Sequence, residues 1–156
     1  MKEENRFTHR QLEEVGAKWL SKSGYWWSCK RIAIEPTSPG SEHPDVIGFA
    51  YGVTHVIECK TTRDDFLRDF RKKWRKEGEK PMGSYRWWLC EEGLITRDDL
   101  EGCGDGLLWR TADGDIQVIK DPSRRAEEER NMIGELCILY SMLSKEAASG
   151  KRATFY

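Results

Sequence analysis

With 156 residues, 38% apolar and 34% charged, and seven Trp beside five Tyr and five Phe, the chain has the material for one folded, aromatic-rich domain and is not a disordered polymer. Its net charge of −1 gives no whole-chain argument for nucleic acid. Five scattered cysteines without CxxC spacing argue against a structural zinc and suit a reducing cytoplasm. The opening Met-Lys-Glu-Glu-Asn-Arg lacks an apolar signal core, and no apolar stretch is long enough for a bilayer, so a cytoplasmic protein without membrane attachment is expected.

In chain order, Thr8-His9-Arg10-Gln11 has capping-box form and predicts a helix start. Leu12, Val15, Gly16, Trp19 and Leu20 share a face of that helix, which Gly24 ends. Tyr25–Cys29 and Arg31–Ile34 read as strands, and Pro36–Ser41 as a loop. Two strand-like runs follow, Val46–Ala50 and Val53–Ile57, joined by Tyr51-Gly52 as a hairpin. A helix is expected over about 62–77, stopped by Gly78 and Pro81, and then a strand over 85–90. Residues 93–106 read as irregular, and 107–110 with 116–119 as a second hairpin around Asp113-Gly114. A last helix over about 123–146 carries the apolar stripe Met132, Ile133, Leu136, Cys137, Tyr140 and Leu143, expected to cover the sheet, with a homodimer seam as its other use. The order predicts an α/β domain spanning 1–156, with a mixed β-sheet flanked by helices and a core over about 8–121.

The first hairpin carries the chemistry. If Ala50 pairs with Val53, counting outward brings Asp45 opposite Glu58, while Glu58 and Lys60 share a face and Cys59 points away. Two carboxylates and an ammonium then form one patch, and the carboxylates repel unless a cation lies between them. By the same parity His55 faces away from Glu58 and is given no chemistry. Residues 60–86 hold ten Lys or Arg against five Asp or Glu, a solvated helix face on its own and, beside the Asp45–Glu58–Lys60 motif, the candidate nucleic-acid surface, through Arg63, Arg68, Arg71, Lys72, Arg75 and Lys76.

Pro44-Asp45 … Glu58-Cys59-Lys60, followed by Thr61–Asp69 running into Phe70-Arg71-Lys72-Lys73-Trp74, resembles the PD-(D/E)XK nuclease superfamily. The wider order, through Tyr85–Cys90, Gly106–Trp109 and Gly114–Ile119, is similar to its MmcB-like branch of DNA-repair proteins, over roughly residues 8–121. The resemblance implies a restriction-endonuclease-like core and DNA hydrolysis dependent on Mg²⁺ or Mn²⁺. It implies metal ligation by Asp45, Glu58 and the backbone carbonyl of Cys59, with Lys60 holding the attacking water or the scissile phosphate. It also implies a further acid from the first helix. Glu13 and Glu14 are the candidates, with Glu14 preferred for its place beside Val15; Glu35 ends a strand with its direction open. DNA is the expected partner, and RNA stays open as a substrate. The competing readings are an inactive nucleic-acid-binding protein of the same fold and a protein-interaction module.

Overall fold

The computed structural model describes residues 6–22, 28–72 and 79–150. It contains three helices, α1 (His9–Leu20), α2 (Arg63–Lys72) and α3 (Met132–Ala148). Six strands, β1 (Arg31–Ile34), β2 (Val46–Ala50), β3 (Val53–Cys59), β4 (Tyr85–Glu91), β5 (Gly106–Arg110) and β6 (Ile116–Lys120), form one sheet in sequential order. The first three strands are antiparallel, β3–β4 and β4–β5 are parallel, and β5–β6 is antiparallel. The fold is therefore the expected α/β arrangement, a mixed sheet flanked by helices.

The local signals explain where the elements lie. Thr8 and Gln11 form the reciprocal capping box of α1. Tyr51-Gly52 is a tight turn with Gly52 at φ +74, a conformation glycine adopts without penalty. That turn sets Ala50 opposite Val53 and carries the register back to Val46 opposite Ile57. The parallel β3–β4 pair needs a crossover, and α2 lies between those strands in the chain.

Strand alternation then builds the core on both faces. On one face α1 packs Leu12, Trp19 and Leu20 on Ile57, Cys59, Trp87 and Leu89. Gly16 lets the helix come down, since a Cβ there would lie 3.2 Å from Ile57 and Leu89. On the other face α2 packs Phe66 and Phe70 on Trp88 and Leu107, with Cys90 and Leu100 beside them. Trp87 and Trp88 thus anchor opposite helices. His55 lies on the α1 face, where its Nδ1 accepts the Trp87 Nε1–H at 3.0 Å and burial lowers its pKa to about 4. It is a core histidine, as parity predicts.

Two expectations about the last helix change, and others fall outside the described residues. The strand predicted over Tyr25–Cys29 falls largely outside the described residues, as do the end of the second helix and its stop signals at Gly78. The last helix starts at Asn131, whose side chain caps Gly134 N–H, not near residue 123. Its predicted apolar stripe faces outward, with Ile133, Leu136, Tyr140, Met132 and Cys137 exposed. The face turned inward holds Gly134, Glu135, Ile138 and Met142. A buried ion pair lies on this inward face beside the apolar contacts. Glu135 receives Arg130 at 2.8 and 3.1 Å and the Gly83 N–H at 3.1 Å, and Arg130 also donates to Thr54. Breaking that network would strand charge in the interior, at a cost of about 3–5 kcal/mol.

Candidate functional site

Asp45 lies immediately before β2, and its carboxylate bridges two elements. Its Oδ2 accepts the Cys59 N–H at 2.8 Å, which ties it to the end of β3. Its Oδ1 lies 3.2 Å from His9 Nε2, at the start of α1. One turn along α1, Glu13 is fully buried, and its Oε1 lies 2.7 Å from the same His9 nitrogen. The helix acid beside Asp45 is therefore Glu13, and the preference for Glu14 is corrected. Glu14 points to solvent and pairs with Arg10 at 3.3 Å. The reason is the α1 face itself: Glu13 falls among Leu12, Gly16 and Leu20 on the buried side.

Glu35 joins this group. Its side chain hydrogen-bonds Glu13, and its backbone N–H donates to the Asp45 carbonyl at 2.8 Å. It has φ +47, a left-handed conformation costly for a non-glycine residue, and such strain concentrates at functional sites. Burial, the bond from Glu35, and the charges of Glu35 and Asp45 outweigh His9 and raise the Glu13 pKa from 4.5 to about 7.

Glu58 occupies the other side of Asp45. Its Oε1 lies 3.3 Å from Arg86 Nη2 on β4, and Arg86 in turn bonds Glu42 and the Met82 carbonyl. Glu42 also accepts the Met82 N–H at 2.8 Å. Burial raises the Glu58 pKa well above the ordinary range; Arg86 opposes it, and the charges of Asp45 and Glu42 add to it. Lys60, 4% exposed, turns its ammonium to α2, where it bonds Asp69 and lies 3.5 Å from Asp65 and 5.9 Å from the Trp88 ring centre. Burial alone would lower the Lys60 pKa, but the Asp69 bond and the neighbouring carboxylates raise it, so it carries its proton.

The sequence thus located Asp45, Glu58 and Lys60 but missed Arg86, Glu42, Asp65 and Asp69. Arg86 left a signal, as the lone charge within the run Tyr85–Cys90. Asp65 and Asp69 left one too, as acids spaced i, i+4 in a basic segment one turn beyond Lys60.

The proposed basic surface is altered. Arg63 is engaged by Asp99 at 2.7 and 2.9 Å and by the Leu94 carbonyl at 3.0 Å, which leaves little of its fork for phosphate. That same bond holds Asp99 below the usual carboxylate range. Arg68 and Arg71 are exposed beside Asp64 and Leu67, and Arg68 lies 3.9 Å from Asp65, one of the acids that reach Lys60. Lys72 ends α2 with its side chain outside the described residues, where Arg75 and Lys76 also fall.

No family model matches this chain, and no curated protein matches it. The protein is similar in fold to a solved structure titled SPO1766 protein of unknown function, from Silicibacter pomeroyi. The two share 20% identity and a TM-score of 0.61, over 95% of this chain and 97% of that one. At that identity the likeness speaks to fold alone. Among the described residues no helix is long and apolar enough to cross a membrane.

The donor set fits a hard divalent cation. Glu13, Asp45 and Glu58 supply carboxylate oxygens, and two of them have raised pKa values, chiefly through burial with neighbouring carboxylates adding to it against the opposing charges of His9 and Arg86. A pH effect follows. Glu13 binds its proton more tightly folded than unfolded, so its contribution to stability is complete below about pH 4.5 and is lost as pH rises through about 7. Glu13→Gln is expected to remove that loss and make the metal-free protein more stable than wild type at pH 8, by roughly 1–3 kcal/mol. Urea denaturation at pH 5 and pH 8 in chelator measures it, with the two proteins differing less at pH 5.

Proposed function

We propose that the protein is a divalent-metal-dependent nuclease of the PD-(D/E)XK superfamily that hydrolyses DNA phosphodiesters. The observation that carries this reading is the buried Glu13 of α1 set against His9 and Asp45, with Asp45 tied through the Cys59 N–H to the end of β3, where Glu58 and the buried Lys60 stand on either side of Cys59. Three acids crowded together destabilise a fold unless they hold a cation, and sites that do so are typically functional. The MmcB-like resemblance in sequence adds the substrate class.

Mg²⁺ or Mn²⁺ held by Asp45, Glu58 and Glu13 would polarise the phosphoryl oxygen and acidify a bound water. The remaining roles fall to the chain. Asp45 is pinned by the Cys59 N–H, so its second oxygen is fixed toward α1. Arg86 orients Glu58 through the Nη2–Oε1 bond. Lys60, protonated and anchored by Asp69, offers a point charge for the scissile phosphate or the attacking water. Arg68 and Arg71 are the exposed arginines of α2 available for phosphate contacts that carry no sequence information.

The test is cleavage of labelled duplex, single-stranded, flap and junction DNA, and of RNA, with Mg²⁺ and with Mn²⁺. Chelator-sensitive cleavage of at least one DNA supports the reading. Absence of cleavage with salt-sensitive DNA retention would replace it with the inactive DNA-binding reading, and absence of both would favour an interaction module.

A further inference from the structure

We propose that the outward face of α3 is the seam of a homodimer, in which α3 packs antiparallel against α3 of a second copy of this chain. The pairing does not depend on the nuclease assignment.

The spacing of the outward residues is the first observation. Ile133, Leu136, Tyr140, Leu143 and Ala147 follow one another by three, four, three and four residues. That is the a/d pattern of two heptads, an apolar repeat of about 3.5 residues that seats one helix on another. A helix lying on a sheet needs one apolar stripe, and α3 uses a different one for that purpose: Gly134, Glu135, Ile138 and Met142 are turned inward. Two heptads are too few to hold a free helix, but α3 is already anchored by Ile138 and by the Glu135 bonds, so pairing carries no cost of forming the helix.

The open area is the second observation. Ile133 is 71% exposed, Leu136 60% and Tyr140 72%, with Met132 at 45% on the flank. Four of the six exposed large apolar side chains among the described residues therefore lie on α3. They leave on the order of 500 Å² open per protomer, at the upper end for a monomer and most of the roughly 800 Å² that each partner of a stable pair contributes.

Charge selects the occupant and its direction. No seam residue is charged, so the face itself has nothing to hold a charged ligand. The exposed run Glu127–Glu129 leads into the N-terminal end of α3, and exposed Lys145 stands near its C-terminal end. A parallel pair would set acid against acid. An antiparallel pair brings each acidic end to the Lys145 end of the other helix and opposes the two helix dipoles. The surface is thus complementary to itself, as a twofold interface requires. Centred on the four large seam residues, the register sets Ile133 against Leu143 of the partner subunit and Leu136 against Tyr140 of the partner subunit.

Sedimentation velocity over a wide range of protein concentration tests the pairing, on wild type, Leu136→Glu, Tyr140→Glu and, as a control, Val118→Glu at an exposed position of β6. Circular dichroism checks folding, which exposed positions should leave intact. Wild type is expected to dimerise with a Kd on the order of micromolar or tighter, each α3 variant to weaken dimerisation by about 100-fold or more, and Val118→Glu to preserve it. Cys137, an exposed thiol on the flank of the seam, reads the direction. An antiparallel pair sets its two copies on one side of the seam near the axis, and a parallel pair sets them on opposite sides. A short bismaleimide is therefore expected to join wild-type protomers and not Cys137→Ser protomers. A wild type that stays monomeric, or a dimer indifferent to both α3 substitutions, overturns the seam. A dimer that is sensitive to them but is not joined by the bismaleimide overturns the antiparallel direction.

Discussion

Asp45→Asn is expected to lower divalent-ion-dependent DNA cleavage by on the order of 10²–10³-fold while leaving the fold intact. The residue has two separable duties. One is structural, since Oδ2 accepts the Cys59 N–H at 2.8 Å, and an asparagine oxygen accepts that bond equally well. The other is to supply negative charge between Glu13 and Glu58, which asparagine cannot do. Asp45→Ala removes both, so it should lose cleavage and also destabilise by about 1–3 kcal/mol through the stranded N–H. Single-turnover cleavage alongside urea denaturation separates the duties. Equal cleavage by Asp45→Asn and wild type would remove this residue from the chemistry.

Arg86→Ala is expected to cost about 3–5 kcal/mol of stability, the largest effect of any single substitution near the site. Arg86 is 4% exposed and is the counter-charge shared by Glu58 and Glu42. Without it, two part-buried carboxylates lose their shared counter-charge and the Met82 carbonyl loses a donor. Adding Glu58→Gln to Arg86→Ala should recover part of the loss, because the double variant removes one of the stranded charges. Thermal denaturation of the two single variants and the double reads that coupling. Strict additivity would mean that Arg86 and Glu58 do not depend on each other.

Much of this architecture is legible in the sequence because it follows from local rules. The Tyr51-Gly52 turn fixes a period-two register, and that register brings Asp45, Glu58 and Lys60 to one end of the sheet. The Thr8 capping box fixes where α1 begins, and adjacency in β4 sends Trp87 and Trp88 to opposite helices. What was not legible depends on long-range electrostatics. Glu13 reads as a solvated acid until α1 is laid on the sheet and that position proves buried. The apolar stripe of α3 reads as a core face, yet it faces outward while the Arg130–Glu135–Gly83 network and Ile138 take the inward side. Arg63 reads as a phosphate contact, yet Asp99, thirty-six residues away in sequence, takes its guanidinium.

The central claim is that Glu13, Asp45 and Glu58 compose a single divalent-cation site. Crystals soaked in Mn²⁺ test it most directly, through anomalous difference density. The account predicts one peak within coordination distance of the Asp45 carboxylate, flanked by Glu13 and Glu58. A peak elsewhere with these carboxylates unliganded, or no peak at a manganese concentration that supports cleavage, would contradict it.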